Sequence, residues 1–141
     1  MTKKEIIDCV IRRLLLIPYK WGGDDPMGGF DCSGGIQEIL ASVGLDPKGD
    51  QTADALMKYF NRPYLGRVVS DIDFGDLIFF GREDRATHVG IAINPTTMFE
   101  FGGGGSKTID AVQAEKHNAY GRIRPISNRR DFLKAIRIEG L

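Results

Sequence analysis

Cys32 is the first residue whose type and position suit chemistry, because it stands between a glycine-rich segment and a stretch of helical periodicity. Glycine and proline keep the chain irregular up to Phe30, and apolar residues then repeat at helical spacing at Ile36, Ile39, Leu40 and Val43. At a helix N-terminus, unpaired N–H groups and the positive end of the helix dipole stabilise a thiolate and the oxyanion formed when it attacks a carbonyl. The alternative is a small apolar residue at a buried helix start.

A nucleophilic cysteine needs a base, and the chain has two histidines. His88 opens an apolar run of strand character, whereas His117 lies in a polar stretch and is expected at the surface. A turn and a further strand follow the His88 strand, and this second strand carries Glu100 amid apolar residues. If the two strands form a hairpin, Glu100 binds the imidazole nitrogen that faces away from Cys32. The result is a nucleophile, a base and an orienting group.

Four motifs, taken in their order along the chain, resemble the NlpC/P60 cysteine peptidases, which cut cell-wall peptides on a papain-like core. The motifs are Pro18-Tyr19-Lys20-Trp21-Gly22-Gly23, Phe30-Asp31-Cys32-Ser33-Gly34, Gly75-Asp76-Leu77-Ile78-Phe79-Phe80 and His88-Val89-Gly90-Ile91. Two positions depart from the family pattern. Glu100 stands where the family typically carries His, Asn or Gln, and Gly35 where it usually carries a larger apolar residue. The glycine run after Glu100 is most similar to phage and prophage members.

The resemblance implies a role for several residues in cleaving a peptidoglycan stem peptide next to its γ-linked D-glutamate. The expected catalytic residues are Cys32, His88 and Glu100, and the expected substrate or oxyanion contacts are Tyr19, Ser33 and Trp21. Charged loop residues are further candidate contacts with the substrate, namely Asp24, Asp25, Arg82 and Arg85. No metal or other cofactor is expected. Carboxylates in turns more often bond to nearby backbone N–H groups than to a metal, and we apply that interpretation to Asp71, Asp73 and Asp76.

Length and element order predict one α+β domain over residues 1–141. Helices gather in the first half and strands in the second, so the helices are expected to pack on a mostly antiparallel sheet in a papain-like arrangement. A capping box at Thr2 and Glu5 starts the first helix, and Thr52 caps a short helix that ends near Phe60. The segment from residue 131 to residue 138 fits a helix or a strand equally well.

Composition narrows the expected partners and location. Nineteen basic and nineteen acidic residues cancel, so overall charge favours neither nucleic acid nor an anionic membrane. No apolar run approaches the roughly 20 residues of a membrane span, and charged residues interrupt any signal-peptide core. We therefore expect synthesis in the cytoplasm, with a phage tail or a pore-forming protein giving access to the wall. Cys9 and Cys32 are expected as free thiols, with Cys9 packing on the first helix.

Three other functions fit parts of the sequence. An amidase or acyltransferase would use the same Cys32 and His88 with another acceptor. An inactive wall-binding module would keep the fold without turnover, and the unusual Glu100 leaves that possibility open. A nucleotide-binding protein would use the glycine run before Lys107, but Ser106 stands where a P-loop requires glycine. A rim loop is the better interpretation of that run.

Overall fold

A six-stranded antiparallel sheet with helices packed on one face forms the body of the protein. The computed structural model describes residues 1–25, 29–102, 104 and 108–141. The helices are α1 (Lys3–Leu14), α2 (Cys32–Ala41), α3 (Ala53–Phe60) and α4 (Ala111–Lys116). The strands are β1 (Asp24–Asp25), β2 (Gly29–Phe30), β3 (Gly66–Val69), β4 (Leu77–Arg82), β5 (Arg85–Ala92), β6 (Thr97–Gly102), β7 (Tyr120–Pro125) and β8 (Phe132–Ile138). The α+β prediction is confirmed.

The strands of the large sheet are ordered β3-β8-β4-β5-β6-β7, and each neighbouring pair is antiparallel. The undecided segment near the C-terminus is therefore a strand, and it lies between β3 and β4. The glycine-rich segment before α2 is less irregular than the sequence suggests. There β1 pairs with β2, with Asp24 opposite Phe30 and Asp25 opposite Gly29.

Local capping fixes where three of the helices begin. Thr2 and Glu5 form the expected capping box of α1, and the Thr52 side chain accepts a hydrogen bond from the Ala55 N–H at the start of α3. Asp31 caps α2 by accepting a hydrogen bond of 2.6 Å from the Gly34 N–H. Because the cap residue directly precedes Cys32, the cysteine occupies the first helical position.

The main core lies between α1, α2 and α3 and one face of the sheet. Ile36, Ile39 and Leu40 of α2 are fully buried in it. Gly35 faces the ring of Phe101 on β6 so closely that a Cβ atom at this position would overlap that ring. The absence of a side chain thus lets α2 approach the strand that carries Glu100.

A tight turn joins β4 to β5. Its two central residues, Glu83 and Asp84, have φ values of 50° and 62°, as a two-residue hairpin loop of type I′ requires at both positions. This turn sends β5 back along β4 with His88 opposite Phe80. No helix within the described ranges of the chain is long and apolar enough to cross a bilayer.

Candidate active site

Cys32 lies at the N-terminal end of α2, where the helix meets the sheet. The side chain is partly exposed and hydrogen-bonds with the imidazole of His88 on β5. The first turn of α2 directs backbone N–H groups toward this end of the helix, so the sulfur lies next to donors that can bind a negatively charged oxygen. The structure thus brings together the thiol and the histidine that the sequence analysis paired.

His88 and Glu100 form a buried pair on neighbouring strands. His88 Nε2 lies 2.8 Å from Glu100 Oε1, and the two side chains are only 8% and 3% exposed. The predicted β5–β6 hairpin is present, with Ile91 opposite Phe99 and Ala92 opposite Met98. Phe99 and Phe101 point into the main core, so alternation places Glu100 on the other face of β6.

The Glu100 contact fixes which nitrogen of His88 can serve as the base. An ionised carboxylate only accepts hydrogen bonds, so Nε2 must donate to Glu100. In the neutral imidazole this leaves Nδ1 unprotonated and available to Cys32. Burial would lower the pKa of His88, but hydrogen bonds and charge interactions with Cys32 and Glu100 raise it to about 9. The imidazolium is therefore the stable form near neutral pH.

Arg122 is a member of this cluster that the sequence analysis did not identify. It lies on β7 directly opposite Glu100, and its Nε donates to Glu100 Oε2 at 3.0 Å. Burial would raise the pKa of Glu100, yet the pKa is lowered by His88 and Arg122 together. The sequence analysis paired Glu100 with His88, and the structure adds Arg122 as a second cationic partner of the carboxylate. In the sequence, the alternation of Arg122 and Arg124 is the feature that could have indicated a second cation next to Glu100.

Tyr19 is buried next to the sulfur. The pKa of its phenol is raised well above the usual range, first by burial and then by the negative charges of Cys32 and Asp31. Tyr19 is thus a neutral O–H donor next to the nucleophile. The Tyr19 N–H donates to the Ala119 carbonyl at 3.0 Å, and this bond ties the Tyr19 segment to the residue before β7.

The other two predicted contacts, Ser33 and Trp21, differ in exposure. Ser33 is buried, and its hydroxyl donates to Asp31 Oδ1 at 3.2 Å. The Trp21 side chain is exposed, with 54% of the residue accessible to solvent, and the Trp21 backbone N–H donates to the Thr108 carbonyl at 2.7 Å. Trp21 therefore lies at the rim of the site, whereas Ser33 supports the helix start. Asp31 is a further residue that the sequence analysis left unassigned, although it directly precedes the cysteine.

The structure describes the side chains of two of the four loop residues proposed as substrate contacts. Arg82 and Arg85 are exposed at the ends of β4 and β5 and line a cleft of about 390 Å³ with Thr87 and Asp131. The side chains of Asp24 and Asp25 lie outside the described part of the structure. In the glycine run, residues 103 and 105–107, including Lys107, also lie outside it. Gly104 lies against the Tyr19 ring, where a Cβ would overlap the ring.

The other cysteine, the other histidine and the buried Asp76 are not part of the cluster of Cys32, His88 and Glu100. Cys9 is exposed on α1, so the prediction that it packs is wrong. His117 is exposed as expected, and its Nδ1 lies 2.8 Å from Thr108 Oγ1. Asp76 is buried and binds Arg137 through both carboxylate oxygens, at 3.0 and 2.9 Å. Among the residues described, no three His, Cys, Asp or Glu side chains are grouped to hold a metal ion.

The helix that carries Cys32 packs on the antiparallel sheet that carries the histidine–carboxylate pair, in a papain-like α+β fold. The sequence profile of the NlpC/P60 family matches residues 17–123, so the chain belongs to the NlpC/P60 family. The bifunctional muramidase/DL-endopeptidase CwlT of Bacillus subtilis strain 168 is 36% identical over 97 residues, covering 66% of this chain and 27% of CwlT.

Solved structures share the fold at lower identity. The NlpC/p60 domain of the peptidoglycan hydrolase SagA matches with a TM-score of 0.68 at 22% identity, covering 95% of this chain and 97% of that domain. RipD of Mycobacterium tuberculosis, a non-catalytic NlpC/p60 domain protein, matches with a TM-score of 0.71 at 18% identity, covering 100% and 99% of the two chains. The chain spans 27–33% of the length of three curated relatives that it matches.

Proposed function

We propose that this protein is a cysteine endopeptidase that hydrolyses peptidoglycan stem peptides. The observation that carries the proposal is the buried His88–Glu100 pair, with Nε2 2.8 Å from Oε1, next to Cys32 at the start of α2. Membership of the NlpC/P60 family supports the substrate class, as does the similarity to CwlT, which is named a DL-endopeptidase.

In the proposed reaction, the Cys32 thiolate attacks the peptide carbonyl carbon and forms a C–S bond. The carbonyl oxygen becomes an oxyanion, held by N–H groups at the start of α2 and by the neutral Tyr19 hydroxyl. His88 Nδ1–H then protonates the leaving amine as the C–N bond breaks. Nδ1 next takes a proton from water, which attacks the thioester, and the C–S bond breaks to release the acid. Glu100 keeps the imidazole in place throughout.

Substrate binding in this proposal uses the rim of the site. Trp21 offers an exposed ring, and Asp31, held by the buried Ser33 hydroxyl, directly precedes the nucleophile. Arg82 and Arg85 give the cleft beyond His88 two cationic groups that suit the carboxylates of a stem peptide. The bond next to the γ-linked D-glutamate is the proposed cleavage site.

Mass spectrometry of fragments released from purified peptidoglycan tests the activity and identifies the bond. Wild-type protein is expected to release stem-peptide fragments that end at the γ-D-glutamate, and Cys32→Ala is expected to release none. Fragments cut at a sugar–peptide amide would instead identify an amidase. Binding to the wall without any release would identify a non-catalytic module.

The proposal also includes delivery by a phage tail or a pore-forming partner. Cell lysis would be compared after adding the protein from outside and after expressing it inside bacteria with or without a pore-forming protein. Lysis from within only in the presence of the pore former would support delivery through a pore. Equal lysis without it would contradict that part of the proposal.

A further inference from the structure

The two carboxylate oxygens of Glu100 bind different partners, one a histidine and the other an arginine. Oε1 lies 2.8 Å from His88 Nε2, and Oε2 accepts the Arg122 Nε–H at 3.0 Å. The carboxylate is only 3% exposed, and the Arg122 side chain is 17% exposed. Each carboxylate oxygen thus has one cationic neighbour in a buried site, so both oxygens are fixed in position.

The strand register explains why this arrangement is rigid. Arg122 lies directly opposite Glu100 in the β6–β7 ladder, and its Nη1 also donates to the Asn118 carbonyl at 3.4 Å. Gly102 leaves the space that the pair occupies, since a Cβ there would overlap Glu100 Oε2 and lie 2.7 Å from Arg122 Nη2. The ion pair is therefore packed within the sheet rather than extended into solvent.

We propose that Arg122 is a positioning residue that keeps the buried Glu100 carboxylate ionised and oriented, so that His88 keeps its proton on Nε2 and presents Nδ1 to Cys32. This assignment rests on the proposed function, because it gives Arg122 a part in the same site. Arg122 acts through Glu100, because its side chain hydrogen-bonds to the Glu100 carboxylate and the Asn118 carbonyl.

The chemical reason is the behaviour of a carboxyl group in a buried site. Without a cation, burial favours the neutral acid, whose O–H can donate to Nε2 and move the imidazole proton to Nδ1. That tautomer cannot accept the thiol proton of Cys32. Arg122 opposes this exchange because a guanidinium stays charged at every relevant pH and binds the ionised acid more strongly than the neutral one.

Besides Arg122 on β7, the other charged groups that face the cluster remain in the Arg122 variants. His88 on β5 faces Glu100, and Cys32 on α2 faces His88. Asp131, just before β8, also interacts electrostatically with His88. Since none of these groups replaces the guanidinium on Oε2, removing Arg122 leaves His88 as the only cationic partner of Glu100 among the residues that the structure describes.

The test uses Arg122→Met and Arg122→Lys, with Arg124→Met as the matched control. Arg124 lies two residues further along the same face of β7, opposite Met98 rather than Glu100. Protein labelled with ¹³C at glutamate carboxyls would be titrated by NMR, and the Glu100 signal would be assigned by its loss in Glu100→Gln. In Arg122→Met the Glu100 midpoint is expected to move to higher pH. In Arg124→Met it is expected to stay at the wild-type value.

Kinetics on peptidoglycan give the second readout. Arg122→Met is expected to lower kcat by roughly 10- to 100-fold, less than loss of a whole general base, with KM nearly unchanged. Arg122→Lys keeps the charge and is expected to recover part of kcat. An unchanged Glu100 titration in folded Arg122→Met, or a loss confined to KM, would overturn the assignment. If the carboxyl titration moves as expected but wild-type protein cuts no peptidoglycan, the proposed function fails and the role of Arg122 in fixing Glu100 stands.

Discussion

At the scale of single residues, the two thiols differ in what surrounds them. Cys9 is the more exposed, yet only Cys32 has a hydrogen bond with a histidine whose pKa is raised to about 9. The imidazolium stabilises negative charge on the Cys32 sulfur, and alkylating agents react with the charged form. Neutral iodoacetamide at limiting concentration is therefore expected to label Cys32 before Cys9.

Peptide mapping by mass spectrometry would measure the two labelling rates near neutral pH. His88→Ala is the control, because it removes the cationic partner of Cys32 and leaves Cys9 unchanged. It is expected to slow labelling of Cys32 only. Faster labelling of Cys9 in the wild-type protein would show that the imidazole does not activate Cys32.

Glu100 is a buried carboxylate next to His88, and its charge has a measurable consequence. Glu100→Gln keeps the shape but removes the negative charge that helps raise the pKa of His88. The basic limb of the pH–rate profile is expected to move to lower pH, with part of the activity retained. Glu100→Ala is expected to lose more activity, because the imidazole also loses its hydrogen bond. If both variants keep the wild-type rate and profile, Glu100 has no part in the site.

At the scale of elements, the contact between α2 and β6 sets the position of Cys32 relative to Glu100. Alanine normally stabilises a helix by up to about 1 kcal/mol relative to glycine. At position 35 the added Cβ would overlap the Phe101 ring. Gly35→Ala is therefore expected to destabilise the protein by about 1–3 kcal/mol, as overpacking does, and to lower activity by displacing the helix start.

Urea unfolding would measure the loss of stability in Gly35→Ala. Glu38→Ala, at an exposed position of the same helix, is the control and should be nearly neutral. Combining Gly35→Ala with Phe101→Leu should recover part of the stability, since the two positions are in contact. A stabilised Gly35→Ala protein would show that α2 does not need this close approach.

Elements with strong local signals could be predicted from the sequence. The capping box of α1, the Thr52 cap of α3 and the β5–β6 hairpin depend on residues close together in the chain. The Arg122 contact with Glu100 joins residues 22 positions apart across α4, and no local pattern specifies that β7 pairs with β6. For the same reason the sequence left β8 undecided, because its central place depends on pairing with β3 and β4.

The sequence indicated which side chains come together better than it indicated their surroundings. Motif order and strand alternation grouped Cys32, His88 and Glu100, and the structure places these three side chains next to one another. The second cation on Glu100 was missed because compensation of a buried charge depends on tertiary contacts. Cys9 was expected to pack because free cysteine is usually buried, but its face of α1 is exposed.

At the scale of the whole molecule, protonation of the buried His88 links the site to the free energy of unfolding. The folded protein holds the His88 proton up to a pKa of about 9, against an ordinary value of 6.5. The stabilisation is fully present below about pH 6.5 and is lost as pH rises through about 9, because the unfolded chain releases the proton earlier. The free energy of unfolding falls by at most about 3 kcal/mol through this effect.

Urea unfolding at several pH values between about 6 and 9.5 would measure this dependence. The free energy of unfolding is expected to fall across the range in wild-type protein and to fall less in His88→Ala. A free energy that stays level or rises with pH in wild-type protein would show that His88 is not held as the imidazolium.

The most direct test of the central claim compares four variants on purified peptidoglycan, with fragments counted by mass spectrometry. Each pair sets one residue of the site against the other residue of its type, since the chain has two cysteines and two histidines. The account predicts that Cys32→Ala abolishes release and that His88→Ala lowers the rate by roughly 10²- to 10⁴-fold, while Cys9→Ala and His117→Ala stay close to wild type. Release by Cys32→Ala near the wild-type rate, or a greater loss in His117→Ala than in His88→Ala, would contradict it.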